Sequence, residues 1–173
     1  MKRVVLLALL VTLSAASATS ATTHRTAQSD GVASGGIGLA RDAWEAVHGP
    51  GEAGQTLVTY AGTYETGFRD GVVSFVEFGW DDPGVSFPEA EDAVRGLLPT
   101  DARLVEAFAA PATAGGPVAL LMHRYDSPSL TALVPEFGGA WTGGILVVYQ
   151  EVPVPGSMER NVGRVSLVGG EAP

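Results

Sequence analysis

The chain has 173 residues, 19 acidic and 10 basic side chains, a formal net charge of −9 at pH 7 and no cysteine. Without cysteine, disulfides, thiolate metal sites and thiol nucleophiles are excluded. The acidic surface repels phosphate backbones and anionic lipids, so we expect neither nucleic-acid binding nor membrane-surface binding.

The N-terminus has the layout of an export signal. Lys2 and Arg3 precede an apolar run of about ten residues, whereas a membrane-spanning helix needs roughly 20. Ala16 and Ala18 supply the small side chains of a cleavage site. We predict that residues 1–18 are a signal peptide, cleaved after Ala18 or, as second choice, after Ala21. The processed protein would be secreted without stable membrane insertion, with eight basic and 19 acidic side chains and a net charge of −11.

A flexible leader and one domain are predicted to follow. Residues 19–36 are rich in Ser, Thr, Ala and Gly without an apolar period, which is typical of a disordered segment. Residues 37–170 have the length of a single globular domain. In that domain Ile37, Ala40, Trp44 and Val47 share one face of a first helix. Gly49-Pro50-Gly51 ends this helix.

Two local signals follow in chain order. Asp70-Gly71 separates the β-prone segments 64–68 and 72–78, which predicts a tight antiparallel hairpin. Ser86 and Glu89 have the spacing of a capping box, which predicts a second helix that ends by Gly96. The two helices are the main helical elements of the prediction.

The rest of the chain is predicted to be mostly strand. Segments 57–60, 103–108, 118–125, 145–152 and 164–168 are β-prone, and a short helix is predicted from Ser129 to Val134. No repeat is detectable at the level of sequence. The order of elements predicts an α+β domain, an antiparallel sheet of five to seven strands with two main helices packed on one face.

Histidine offers the one route to nucleophilic catalysis. His24 lies in the leader and His48 at a helix end, which leaves His123 in an apolar strand, close in sequence to Asp126. A catalytic triad is defined by geometry, and the chain has no Gly-x-Ser-x-Gly elbow. We therefore assign no catalytic residue and keep a half-exposed structural histidine as the alternative for His123.

Metal and phosphate sites are not indicated either. Asp81 and Asp82 could offer carboxylates to calcium, but a turn closed by Pro83-Gly84 accounts for them more simply. The glycines around Trp141 precede a strand instead of opening a helix, so they do not form a phosphate cradle. We predict no bound metal and no cofactor.

Two aromatic loop residues suggest recognition. Trp80 and Trp141 each lie beside a turn, where large aromatic side chains often anchor a ligand, although both could instead close the ends of the core. The candidate ligand-binding residues are Trp80, Asp81, Asp82, His123, Tyr125 and Trp141.

Three segments carry a resemblance to other proteins. They are Gly38-Leu39-Ala40-Arg41-x-x-Trp44-Glu45 with Gly49-Pro50-Gly51, then Tyr64-x-x-Gly67-Phe68-Arg69-Asp70-Gly71-Val72-Val73, then Leu97-Leu98-Pro99-Thr100-Asp101-Ala102. Together they resemble uncharacterised exported bacterial proteins. More distantly, the first helix ending at Gly-Pro before an Asp-Gly hairpin resembles small domains of the outer-membrane lipoprotein and β-lactamase-inhibitor type. The lipid-bearing cysteine is missing, and no functional residue is carried over.

These observations favour a secreted, non-enzymatic domain that binds an unknown protein, peptide or glycan. An inhibitor of another enzyme would be a special case of this function. The alternative is a small exported hydrolase that uses His123 with Asp126 or a nearby hydroxyl. Convergence of those side chains in a pocket would favour the hydrolase, and an exposed apolar patch with Trp80 and Trp141 would favour binding.

Processing of the N-terminus is the first testable prediction. Protein recovered from culture medium should begin at Thr19, because Ala16 and Ala18 occupy the two positions where the peptidase needs small side chains. Ala18→Arg should abolish cleavage at this bond, whereas the control Ser17→Arg should leave it intact, as measured by mass spectrometry. Intact Met1 on wild-type material that only detergent extracts would contradict the prediction.

Overall fold

The computed structural model describes residues 32–54, 56–110, 119–133 and 143–170. Its strands are β1 (Glu52–Ala53), β2 (Val58–Tyr60), β3 (Tyr64–Arg69), β4 (Val72–Gly79), β5 (Arg103–Ala110), β6 (Leu120–Asp126), β7 (Gly144–Pro153) and β8 (Arg160–Gly169). Its helices are α1 (Arg41–His48), α2 (Phe87–Arg95) and α3 (Pro128–Leu133). The eight strands form one sheet in the order β1-β2-β3-β4-β8-β7-β6-β5.

The two halves of the domain have the same order of elements. In each half a helix precedes four consecutive antiparallel strands, and the second half carries α3 as an insertion between β6 and β7. The last strands of the two halves, β4 and β8, pair antiparallel with Glu77 opposite Ser166. The middle of the sheet is therefore built from the ends of both halves, and β1 and β5 form its edges.

The predicted fold class is wrong. The protein is mainly antiparallel sheet with eight strands, more than the five to seven predicted, and only two of its three helices exceed seven residues. Helices of 8 and 9 residues are about 12 to 14 Å long, whereas eight strands span roughly 34 Å, so the helices cannot form a layer over the sheet. The missed strand, β1, has two exposed residues, Glu52 and Ala53, and carries no β-branched side chain.

The Asp70-Gly71 hairpin is confirmed. It joins β3 and β4, and both turn residues have positive φ, 50° at Asp70 and 80° at Gly71. The hairpin between β2 and β3 uses the same geometry at Ala61 and Gly62, with φ of 51° and 67°. Positive φ at both central residues matches the twist of the flanking strands, which explains why such short turns suffice.

The first helix begins later in the chain than predicted, whereas the second begins where it was predicted. α1 begins at Arg41 and not at Ile37, because the preceding backbone is held by other segments: Ile37 N donates to Leu97 O, and Gly38 N donates to Val73 O. α2 begins after Ser86 as predicted. The Glu89 carboxylate accepts hydrogen bonds from both the backbone NH and the hydroxyl of Ser86, at 3.0 and 2.7 Å.

The core lies between the helices and one face of the sheet. Trp44 of α1 meets Tyr60 and Tyr64 edge to face, with ring centroids 5.9 and 5.7 Å apart. Phe87 of α2 meets Tyr149, whose ring centroid is 5.0 Å away. The strand register places these tyrosines on the same face. Fully buried neighbours on that face include Val76, Val147, Val165 and Leu167.

A pair of glycines tests the hairpin geometry. Gly71→Ala places a side chain at φ 80° without any steric contact within 4 Å, so it should lower the free energy of unfolding by about 1 kcal/mol. The control Gly96→Ala lies at φ −65°, where alanine fits, and should be neutral or stabilising. Urea unfolding of both variants measures the difference. Equal midpoints would show that the positive φ at residue 71 carries no cost.

Candidate functional site

The second face of the sheet points away from α1 and α2. Strand alternation places an apolar series on this face, and its members are all partly exposed. The series consists of Phe75, Val168 and Leu146 across β4, β8 and β7, and of Val148, Met122 and Phe108 across β7, β6 and β5. Leu146 and Val148 lie two residues apart on β7 and join both rows. We call these six residues the apolar stripe.

A polar network lies at the centre of the same face. The Glu77 carboxylate accepts hydrogen bonds from Arg164 Nη1 at 2.8 Å and from Ser166 Oγ at 2.7 Å. The Glu77 side chain is 19% exposed and that of Arg164 57%, so the carboxylate is mostly shielded from water and the guanidinium is not. The network connects β4 to β8 by side chains at the place where the two halves pair.

A cleft of about 300 Å³ borders this network at one end of the sheet. Its walls include Glu65, Glu77, Trp80, Asp81 and Arg164. The backbone NH of Trp80 donates to Gly163 O at 3.0 Å, and the Trp80 ring packs against the core, edge to face on Phe78 with centroids 5.2 Å apart. Three carboxylates against one guanidinium give the cleft a net negative charge, which suits a cationic side chain.

Trp80 and Asp81 are therefore brought together in one cleft, and other candidate residues lie elsewhere. Asp82 is exposed and precedes Pro83 through a cis peptide bond. Trp141 lies outside the described residues. Within those residues, no group of three or more His, Asp or Glu side chains converges as metal ligands would.

His123 and Tyr125 lie on the covered face of the sheet. His123 is 6% exposed and packs between Phe87 and Tyr149, with ring centroids 5.7 and 5.2 Å away. Burial lowers the pKa of His123, and the nearby Glu91 carboxylate partly opposes this effect. Strand alternation places Asp126 on the opposite face, so His123 and Asp126 do not converge.

One serine and carboxylate cluster has a structural explanation. Asp101 Oδ1 accepts hydrogen bonds from the hydroxyls of Ser127 and Ser129, at 2.7 and 2.8 Å. Asp101 Oδ2 accepts one from Ser129 N at 2.8 Å, and Leu130 N donates to Ser127 Oγ at 3.2 Å. These groups satisfy the free NH groups at the start of α3, as helix caps do.

Sequence reasoning did not identify Glu77, Arg164, Ser166 or the apolar stripe as site residues. The alternation of side chains along each strand was visible, but the face that each set occupies depends on strand order. The Glu91 carboxylate lies 3.7 Å from His123 Nδ1, although the two residues are 32 positions apart in the sequence. No short sequence motif indicates either the face that these side chains share or the contact between Glu91 and His123.

Comparison of the chain with protein-family models, with curated proteins and with solved structures finds no match. Among the helices of the described residues, none is long and apolar enough to cross a bilayer.

The cap at α3 predicts a pH-dependent stability. Burial raises the pKa of Asp101, but hydrogen bonds from Ser127 and Ser129 outweigh it and leave this pKa below its ordinary value. Asp101 therefore stabilises the fold above the unfolded-state pKa of about 3.9, and its contribution disappears as pH falls through the lower folded-state value. Asp101→Asn should cost about 1 to 2 kcal/mol at pH 7, with the gap to wild type closing in strong acid.

The control for this measurement is Asp92→Asn. The Asp92 carboxylate is exposed and makes one ion pair with Arg95 at 3.2 Å, so its loss should leave the thermal midpoint nearly unchanged at every pH. A gap between wild type and Asp101→Asn that stays constant from pH 7 to pH 2 would contradict the assigned role of Asp101.

Proposed function

We propose that this chain is a secreted, non-enzymatic domain that binds a protein partner through the face of its sheet that points away from α1 and α2, which we call the open face. The proposal depends on one observation: the apolar stripe crosses five strands, from β4 to β5, and stays partly exposed on the face away from α1 and α2. Antiparallel sheets commonly have one solvated face, and such a face normally carries polar side chains. A contiguous apolar patch there is typical of a protein interface.

The surroundings of the apolar stripe support a protein as the partner. Interfaces combine an apolar centre with a polar rim, and here the Glu77–Arg164–Ser166 network and the Trp80 cleft adjoin the stripe. The cleft is acidic and the processed chain is expected to carry a net charge of −11. A partner with a basic surface would be attracted over a long range, and one of its Lys or Arg side chains would pair with the carboxylates of the cleft.

The hydrolase alternative has less support. It requires His123 to meet Asp126 or a hydroxyl in an accessible pocket, but His123 is buried under Phe87 and Asp126 lies on the other face. The Tyr125 hydroxyl lies 3.5 Å from His123 Nδ1, but tyrosine hydroxyls whose pKa is raised by burial are poor nucleophiles at neutral pH. A glycan or free peptide on the open face remains an alternative outcome of the binding experiment.

Substitutions on the open face test the proposal. Met122→Glu introduces a charge at the centre of the apolar stripe, opposite Phe108, and should weaken partner binding at least about tenfold. The partner is first captured from the culture medium with the wild-type domain and purified. Its dissociation constant for each variant is then measured by calorimetry, at low and at high salt.

The control is Met158→Glu, since Met158 is fully exposed in the loop between β7 and β8, outside the stripe. This variant should bind like wild type. Equal affinity of wild type and Met122→Glu, with both folded, would refute binding through the open face. Recovery of only a glycan or peptide, or turnover of a generic ester that His123→Ala abolishes, would refute the protein-binding function.

A further inference from the structure

Strand β5 forms one edge of the sheet and is exposed over nearly its whole length. Seven of its eight residues are exposed, including Leu104, Val105 and Phe108 at 52%, 55% and 38%. Among the described residues, no backbone hydrogen bond joins β5 to a segment other than β6. An exposed edge strand of this length is a template for a further strand, and folded proteins usually protect such edges with proline, charge or short length.

The part of β5 that can accept a strand runs from Glu106 to Ala110. A bulge lies between Leu104 and Glu106, and beyond it the pairing with β6 is unbroken. Glu106 is the only charged residue of this run, and the run contains no proline. The opposite edge of the sheet, β1, has only two residues. The sheet therefore has one edge that is long and regular enough to pair with another strand.

The hydrogen bonds of β6 show which groups of β5 point outward. The backbones of Ala119 and Ser127, at the two ends of β6, are hydrogen-bonded on the β7 side. Because NH and C=O groups alternate in direction along a strand, every second residue between them bonds to β7 and the others bond to β5. One of those others lies opposite Phe108. The neighbours of Phe108, Ala107 and Ala109, therefore direct their NH and C=O groups away from the sheet.

We propose that two copies of this chain form a dimer in which their β5 strands pair antiparallel about a two-fold axis at Phe108. Ala107 of one copy lies opposite Ala109 of the other, and each such pair exchanges both of its outward backbone hydrogen bonds. The two Phe108 residues face each other as a non-hydrogen-bonded pair, in which side chains approach most closely. Aromatic pairs across neighbouring strands stabilise a sheet.

A second copy suits this edge better than a foreign strand. Domains that add a foreign strand select it through pockets for alternate side chains, whereas Ala107, Ala109 and Ala110 present only methyl groups beside the backbone. Pairing about Phe108 places Glu106 opposite Ala110 of the second copy. The two Glu106 carboxylates are then about 13 Å apart along the strands, beyond the screening length of about 8 Å at physiological salt.

The dimer is closed and does not depend on the proposed protein-binding function. Each copy uses its β5 edge, and β1 is too short to continue the association into a fibre. The axis is perpendicular to the sheet, so both open faces lie on the same side and the two apolar stripes meet at Phe108. Short paired strands bury less than the roughly 1,200 Å² of stable interfaces, so we expect a dissociation constant in the micromolar range.

Sedimentation of the secreted protein over a range of concentrations measures the dimer. Ala109→Pro removes an outward NH without breaking the pairing of β5 with β6, and it should weaken the dimer at least about tenfold while the fold is kept. The control Ala53→Pro makes the same change at the other edge, because Gly54 N bonds to Leu57 O and the Ala53 NH points outward. It should leave the dimer unchanged.

Single cysteines test the position of the axis, since the chain has no cysteine of its own. Phe108→Cys brings two thiols together at a non-hydrogen-bonded pair, where the Cα atoms lie about 4.5 Å apart, within the range that a disulfide spans. Mild oxidation should therefore give a covalent dimer. The control Ala110→Cys lies on the same strand, but its two copies are about 13 Å apart along the strands and should not be joined.

Three results would overturn the proposal. The first is a wild-type protein that stays monomeric up to about 1 mM, which would leave the edge to a strand of another protein. The second is a folded Ala109→Pro variant that dimerises like wild type, or an Ala53→Pro variant that does not dimerise. The third is oxidation that joins Ala110→Cys and not Phe108→Cys. No partner protein is present in these measurements, so the dimer and binding through the open face can fail separately.

Discussion

The antiparallel pairing of β4 with β8 holds the domain together. Each half of the chain builds its own meander, and the two meanders become one sheet only where Phe75 to Gly79 lie opposite Arg164 to Val168. Glu77 adds side-chain bonds to the pairing of β4 with β8, because its carboxylate accepts hydrogen bonds from Arg164 and Ser166, which are 87 and 89 positions away in sequence. Without disulfides, these backbone and side-chain bonds and the core beside them are what keeps the halves in register.

Pairing through the last strand of each half also determines which face is covered. The helix that opens the first half packs on β4, and the helix that opens the second half packs on β8, so both occupy the same side of the sheet. The helices are too short to cover more than part of that side. One face consequently carries the core with His123 and Tyr149, and the other carries the apolar stripe and the network of Glu77, Arg164 and Ser166. The proposed protein-binding surface follows from this asymmetry.

Short sequence motifs predicted the structure correctly where the interactions that form it join residues a few positions apart. Asp70-Gly71 predicted its hairpin because positive φ depends on those two residues themselves. Ser86 and Glu89 predicted the start of α2 because their hydrogen bonds span three residues. The start of α1 was predicted too early, since Ile37 and Gly38 bond to segments that are distant in the chain. Trp80 and Asp81 were found as candidates from turn chemistry, but Glu77 and Arg164 were not.

The sequence by itself therefore determined the acidic charge, the absence of disulfides, the turns and the approximate positions of most strands, because each depends on composition or on residues a few positions apart. Only the tertiary structure decided that eight strands form one sheet, that His123 and Asp126 lie on opposite faces, and that Glu77 meets Arg164 and Ser166. The reason is that strand order assigns every alternating side chain to a face, and this order arises from contacts between residues that are far apart along the chain.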